Sequence, residues 1–169
     1  MREGKRSATD LWMGLDRGAR ALAARCLYAH DWGDAAPRRE ADLAIARGLR
    51  YRETAVKQLP IEKRVDYLAR LTRPDESLVT SLLLALHLEA RAPMLSAFLD
   101  GLGLPHQGGL IDESFDLQPV PAGKLGPAVA ELYERFPRSE VDLYLACLKA
   151  LDPETWAGLP DVEPREESA

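Results

Sequence analysis

The sequence has few of the residues from which reactive sites are usually built. It contains two cysteines and three histidines among its 169 residues, with no CxxC pair and no cluster that mixes cysteine with histidine. Cys26 and Cys147 lie within apolar helical stretches, which predicts buried, reduced thiols rather than a disulfide or a zinc site. Glycine-rich phosphate loops, HExxH motifs and EF-hand spacings are also missing. We therefore assign no catalytic residue, no metal and no cofactor, and the enzyme question stays open with a preference for a non-catalytic protein.

Long apolar stretches are missing as well. The leucine-dense uninterrupted run covers only residues 82–86, whereas a membrane-spanning helix needs about 20 apolar residues. The first ten residues, MREGKRSATD, have no apolar core of the kind that a signal peptide requires. We therefore expect no membrane contact and a cytoplasmic location.

Apolar residues at helical spacing are what the sequence has in abundance. Hydrophobic residues make up 46% of the chain, and they recur at steps of three and four between prolines and capping residues. This pattern predicts an all-α fold, a single-domain bundle of about seven helices over residues 1–160. The last residues, 161–169, are acidic and almost free of large apolar side chains, which predicts a disordered tail.

The stretch 75–92 is the predicted centre of the bundle. A helix that is apolar on all sides is normally surrounded by other helices, and this one carries Leu78, Val79, Leu82, Leu83, Leu84, Ala85, Leu86 and Leu88. Pro93 has no N–H group and would collide with the carbonyl of Glu89 in a continuous helix. We therefore predict a mostly buried central helix, followed by a second helix that meets it at an angle.

Capping residues and prolines mark the other helix boundaries. A capping box of Ser7 with Asp10, or Thr9 alone, can begin a first helix over residues 7–29, and Ser139 with Asp142 has the form of a capping box near the C-terminus. Proline in the first turn of a helix is favoured. We therefore predict that the helix before Ser139 begins at Pro127.

The segment 103–126 has no helical or strand periodicity over most of its length. Loops this long are uncommon in compact domains and are often functional. We therefore predict one long irregular loop here, which is a lid, an interface or a mobile segment, with a short strand near Leu110 or Leu117 as an alternative.

Charge is distributed unevenly along the chain. Residues 1–73 contain 16 basic and 10 acidic residues, a net of +6, and residues 74–169 contain 6 basic and 17 acidic residues, a net of −11. The predicted helix over residues 37–59 carries the most basic surface, but no helix-turn-helix, zinc-finger or aromatic stacking pattern accompanies it. The asymmetry is consistent with two oppositely charged surfaces or with attraction between the halves, and nucleic acid is not an expected partner.

Four residues are the candidates for a ligand site. His87, Glu89 and Arg91 are polar groups on or next to the most apolar helix, so they must find partners in the core or line a cleft. His106 lies in the glycine-rich part of the long loop. The alternative for His87 is a core histidine that is hydrogen-bonded to the backbone or to a neighbouring carboxylate, and the alternative for His106 is a solvated surface residue.

Two functional hypotheses follow from these features. The first is a non-catalytic helical protein that acts by protein–protein interaction or self-association, through helix faces and the 103–126 loop. The second is a small-molecule- or metal-binding protein, or an enzyme, with a site around His87, Glu89 and Arg91 beneath that loop and His106 contributing.

Overall fold

The computed structural model describes residues 5–162 and confirms the all-α fold. Helices account for 63% of the structure, and the described residues form nine α-helices, one π-helical turn and a two-stranded hairpin. The α-helices are α1 (Ala8–Met13), α2 (Arg17–Ala29), α3 (Ala36–Leu49), α4 (Glu53–Lys57), α5 (Ile61–Ala69), α6 (Glu76–Ala85), α7 (Ala92–Gly101), α8 (Ala122–Arg135) and α9 (Arg138–Leu151). The π turn covers Leu86–Ala90, and the strands are β1 (His106–Gln107) and β2 (Leu110–Ile111).

Two of the seven predicted helices are each divided in two, which accounts for the larger number. The capping box of Ser7 and Asp10 begins α1 as predicted, but α1 ends at Met13 with Gly14 as its C-cap. The carboxylate of Asp16 then caps α2 by accepting the N–H of Ala19 at 2.7 Å. The predicted second helix ends at Arg50, whose φ of 56° is left-handed. Local capping therefore overrides the apolar periodicity that runs through both breaks.

The predicted central helix is present as α6 together with the π turn. Its inward side chains are almost completely buried, and they are Leu78, Val79, Leu82, Leu83, Ala85, Leu86 and His87. Helix α7 has Pro93 in its first turn, and its axis is bent by 87° from that of the preceding helix. Within the described residues no single helix could cross a membrane by length and composition, and only this bent pair passes that test jointly.

The core consists of two hydrophobic clusters joined by two elements. The first cluster is formed mainly by α1 to α6, and the second by α7, α8 and the segment after α9. Helix α9 contributes Leu143 and Cys147 to the first cluster and Tyr144 and Leu145 to the second. The corner between the π turn and α7 also joins the clusters. The prediction of one domain over residues 1–160 remains a prediction.

The predicted long loop is shorter and more ordered than the sequence indicated. Strands β1 and β2 form an antiparallel hairpin within it, with His106 opposite Ile111, and α8 already begins at Ala122. Pro127 lies inside α8 rather than opening it. The carbonyl four residues earlier belongs to Gly123, which is exposed, so water can satisfy the group that the proline cannot pair.

The hairpin is held against α7 by a close approach at Gly109. This glycine has a φ of 94°, and a side-chain Cβ at its position would lie 2.4 Å from the Cβ of Leu95. Only glycine fits such a contact and such a backbone conformation. Most of the predicted disordered tail, residues 163–169, lies outside the described residues.

Candidate functional site

The π turn places His87 in the interior. A π-helical turn adds one residue to a regular helix and is often found at functional positions. The imidazole is only 4% exposed, and its Nδ1–H donates to the carbonyl of Leu83 at 2.7 Å. Burial lowers the pKa of His87 from 6.5 to about 4, so the ring is neutral at pH 7 and its Nε2 carries a lone pair. That buried Nε2 has no hydrogen-bond partner among the described residues.

Arg91 follows the π turn and brings a positive charge to the same region. Its Nη1 is also buried without a partner in the described part of the chain, and its Nε lies 4.0 Å from a carboxylate oxygen of Glu140. Burial lowers the pKa of Arg91, and the Glu140 charge opposes this effect. The charge of Arg91 in turn contributes to lowering the pKa of His87.

Helices α2 and α9 surround these two side chains with weakly polar groups. The ring of Tyr144 lies 5.5 Å from that of His87, and burial raises the pKa of the Tyr144 hydroxyl. Burial also raises the pKa of the Cys147 thiol to about 12, against a smaller lowering by Arg91. Both Cys26 and Cys147 are buried free thiols, as predicted. We call His87, Arg91, Tyr144 and Cys147 the π-turn cluster.

Glu89 and His106 do not share the surroundings of His87. Glu89 is exposed and contacts Nδ1 of His30 at 2.6 Å. His106 lies on β1, where its Nε2 is 2.8 Å from Asp100 and its Nδ1 accepts the N–H of Gly109 at 3.2 Å. Of the four candidates named from the sequence, the structure brings only His87 and Arg91 into one environment.

The 103–121 segment packs on the second core cluster. Its apolar residues Ile111, Leu117 and Val120 lie against that cluster, and the N–H of Val120 donates to the carbonyl of Thr155 at 3.1 Å. Among residues 5–162, no hydrogen bond, ion pair or ring contact joins this segment to His87 or Arg91.

Two further features bear on ligand binding. Within residues 5–162, no group of three or more His, Cys, Asp or Glu side chains is arranged to hold a metal ion. A depression of about 440 Å³ opens between α7 and α8, bordered by Pro93, Ser96, Ala97, Asp100, Glu131 and Arg135. Its charged groups already have partners, because Asp100 contacts His106 and Arg135 contacts Glu131 at 3.0 Å.

A surface at the junction of α3 and α4 combines exposed apolar side chains with cations. Leu49 is 38% exposed and Tyr51 is 52% exposed. We call this surface the basic patch and define it by Arg47, Leu49, Arg50, Tyr51 and Arg52. The guanidinium groups of Arg50 and Arg52 form no ion pair within the described chain, and that of Arg47 is 3.8 Å from Asp75.

The charges next to the basic patch do not neutralise it. The carboxylate of Glu53 is shared between Arg39, at 3.2 Å, and Lys57, at 3.3 Å. Only two carboxylates, those of Glu53 and Asp75, therefore lie beside five cations, which are Arg39, Arg47, Arg50, Arg52 and Lys57. The result is a locally positive surface on a chain whose net charge is −5.

The side chain of Asp42 on α3 is a buried polar group that the sequence pattern did not identify. It accepts a hydrogen bond from the Tyr28 hydroxyl at 2.7 Å. Arg64 lies 3.4 Å from the same carboxylate. The partners come from α2 and α5, and a periodicity within one helix carries no information about them.

Comparison of the chain with protein-family models, with curated proteins and with solved structures gives no significant match to any of them.

Proposed function

We propose that this is a non-catalytic binding protein whose basic patch engages an acidic, partly apolar surface of a protein partner. The observation that carries the proposal is the exposure of Leu49 and Tyr51 beside two unpaired arginines. Exposed tyrosine and arginine are the side chains most enriched where binding energy concentrates at protein interfaces. The unpaired guanidinium groups favour carboxylates, which they can bind with two parallel hydrogen bonds.

The shape of the segment supports this role. Arg50 has a left-handed backbone, and Tyr51 and Arg52 follow it between the ends of α3 and α4. The N–H of Tyr51 donates to the carbonyl of Ala46 at 2.9 Å, so the segment is fixed by its own backbone. A preformed surface loses less conformational entropy on binding than a flexible one.

The proposal is tested by photocrosslinking in the cells that make the protein. The photoreactive phenylalanine analogue p-benzoylphenylalanine replaces Tyr51. We expect a covalent adduct whose attachment point, identified by mass spectrometry, lies in a segment that contains carboxylates next to apolar residues. The adduct should disappear when Arg50→Glu and Arg52→Glu are added to the same chain. The matched control carries the analogue at Met13, which is 43% exposed and lies outside the patch.

Three outcomes would contradict the proposed function. One is the absence of an adduct above the level of the Met13 control, and another is an adduct that survives both charge reversals. The third is an adduct with nucleic acid, because a basic surface with an exposed aromatic ring also fits a single strand.

A second candidate function is the binding of a small molecule at the π-turn cluster. The lone pair of His87 Nε2 and the N–H of Arg91 Nη1 are both buried and unpartnered, and buried polar groups are rarely left so. A hydroxyl or a carboxylic acid carries both an acceptor for the Arg91 N–H and a donor for the His87 lone pair. In a titration with acetate or glycerol, the NMR chemical shift of the Arg91 guanidinium should change and reach saturation. Arg91→Met should abolish binding of the probe. An Arg91 signal that neither probe shifts would contradict this second candidate.

A further inference from the structure

The hairpin segment presents a surface whose chemistry is the reverse of that of the basic patch. Leu110 is 49% exposed and Phe115 is 41% exposed, and three exposed carboxylates lie beside them in the sequence. We call this surface the acidic face and define it by Leu110, Asp112, Glu113, Phe115 and Asp116. None of these carboxylates forms an ion pair with a cation of the described residues.

The acidic face is held in place by the protein beneath it. Local backbone bonds order the turn, since the N–H of Asp112 donates to Pro105 at 3.3 Å and the N–H of Phe115 donates to Asp112 at 3.0 Å. Ile111 and Leu117 point towards the second core cluster, whereas Leu110 and Phe115 point outwards. Two large apolar side chains are therefore presented to solvent on a fixed support.

The two surfaces do not neutralise each other within one molecule. The basic patch belongs to helices of the first core cluster, and the acidic face lies on the second. Arg50, Arg52, Glu113 and Asp116 all lack an ion-pair partner in the described chain. The uneven charge distribution would allow the basic and acidic halves of the chain to attract each other, but these four residues form no such ion pair within the described chain.

We infer that the partner of the basic patch is a second copy of this chain, which docks with its acidic face. This inference depends on the proposed function and names the partner. Each surface supplies two exposed apolar side chains surrounded by charges of one sign, and the signs are opposite. Such complementarity raises the association rate and fixes the register of a contact, while the apolar side chains supply affinity.

The contact joins two different surfaces and is therefore heterologous. After two copies pair, one keeps a free acidic face and the other a free basic patch, so association continues until a ring closes or a filament forms. Screening by salt weakens exposed ion pairs. Assembly should therefore weaken as the ionic strength rises.

The inference is tested by sedimentation velocity of the full chain from micromolar to millimolar concentration, at low and at high salt. The patch variant carries Arg50→Glu and Arg52→Glu, and the loop variant carries Glu113→Lys and Asp116→Lys. We expect the mass of the wild-type chain to rise with concentration. Each variant alone should associate about 100-fold more weakly, because like charges then face each other across the contact.

Combining the two charge-reversed variants gives a sharper test than either variant alone, because it should restore the contact. An equimolar mixture of the patch variant and the loop variant should associate again, and so should a chain that carries all four substitutions, since opposite charges then face each other. The matched control carries Lys63→Glu and Lys124→Glu, which change the net charge as much as the patch variant does but lie outside both surfaces. This control should associate like the wild type.

Two results would overturn the inference. They are a wild-type chain that stays monomeric over the whole concentration range, and an association that neither variant weakens or that the mixture does not restore. A monomeric chain combined with an Arg50- and Arg52-dependent adduct from another protein at position 51 would leave the proposed function standing with a different partner. The absence of both association and adduct would remove the two together.

Discussion

The carboxylate of Glu76, the first residue of α6, accepts the N–H of Ala8, the first residue of α1, at 2.8 Å. The same carboxylate accepts the N–H of Thr9 at 3.2 Å. Free N–H groups at a helix start are normally satisfied by a residue of the same helix. Here the central helix supplies part of the cap, which ties the N-terminal helix to the core element.

Glu76→Ala should therefore destabilise the protein by about 1 kcal/mol, the usual size of a lost N-terminal cap. The hydroxyl and N–H of Thr9 and the N–H of Ala8 lower the pKa of Glu76. Its contribution to stability is thus present above the pKa of an unfolded glutamate and is lost as the pH falls through the lowered value. Urea unfolding at neutral pH measures the effect. The control, Glu134→Ala on the exposed face of α8, should leave the stability nearly unchanged, and an equal loss in both variants would contradict the role of Glu76.

The buried carboxylate of Asp42 should contribute more to the stability of the fold than an exposed carboxylate does. Asp42→Ala removes the acceptor of the Tyr28 hydroxyl and the partner of Arg64, whose side chain is only 13% exposed. Leaving a buried charge without its partner costs about 3 kcal/mol. Tyr28→Phe removes only the hydroxyl and should cost about 1 kcal/mol. Urea unfolding of both variants compares the two, and an Asp42→Ala loss no larger than that of Tyr28→Phe would show that the Arg64 charge finds another partner.

The packing of Tyr67 on Gly48 should make a common stabilising substitution harmful. A Cβ at position 48 would lie 1.5 Å from the Tyr67 hydroxyl oxygen, so the ring must move, at a cost of about 1–3 kcal/mol. We expect this cost to exceed the roughly 1 kcal/mol by which alanine is a better helix former than glycine. Gly48→Ala should lower the thermal midpoint in the wild type and raise it in a Tyr67→Leu background.

Gly123→Ala is the matched control for this effect. The position is helical, and a Cβ there meets nothing within 4 Å, so we expect a stability gain in either background. A Gly48→Ala effect of the same sign with and without Tyr67 would mean that the ring is not what excludes a side chain at position 48.

Patterns within single helices were enough to predict the main architecture. The high density of apolar residues between positions 78 and 88 predicted the central helix, and Pro93 predicted the sharp corner after it. The capping box at Ser7 was also predicted correctly, because a cap involves residues only three apart. Each of these signals comes from residues that are close together in the chain, so the sequence alone is enough to detect it.

Features that depend on distant partners were missed. The pattern Ser139 with Asp142 predicted a second capping box, but Pro137 is the N-cap of α9 and Asp142 is buried, accepting a hydrogen bond from Tyr133. Burial and this bond raise the pKa of Tyr133 to about 12. The π-turn cluster is a similar case, since Tyr144 lies on a different helix from His87 and the periodicity within one helix carries no information about their contact.

The buried state of His87 should appear as a pH dependence of stability. Because the pKa of His87 is lowered from 6.5 to about 4 by burial, the unfolded chain binds a proton at a higher pH than the folded chain does. Stability is therefore full above about pH 6.5 and decreases as the pH falls towards about 4. The difference in pKa corresponds to about 3 kcal/mol over this interval.

His87→Asn removes the titrating group and keeps a side-chain N–H that can reach the Leu83 carbonyl. We expect the free energy of unfolding of the wild type to fall by about 3 kcal/mol more than that of the variant between about pH 6.5 and pH 4. Carboxylates titrate in both proteins, so their effect cancels in the difference. If urea unfolding gave parallel pH profiles for the wild type and the variant, the pKa of His87 in the folded chain would equal its ordinary value. That result would place an acceptor or a negative charge near Nε2 and would favour an anionic ligand in the π-turn cluster.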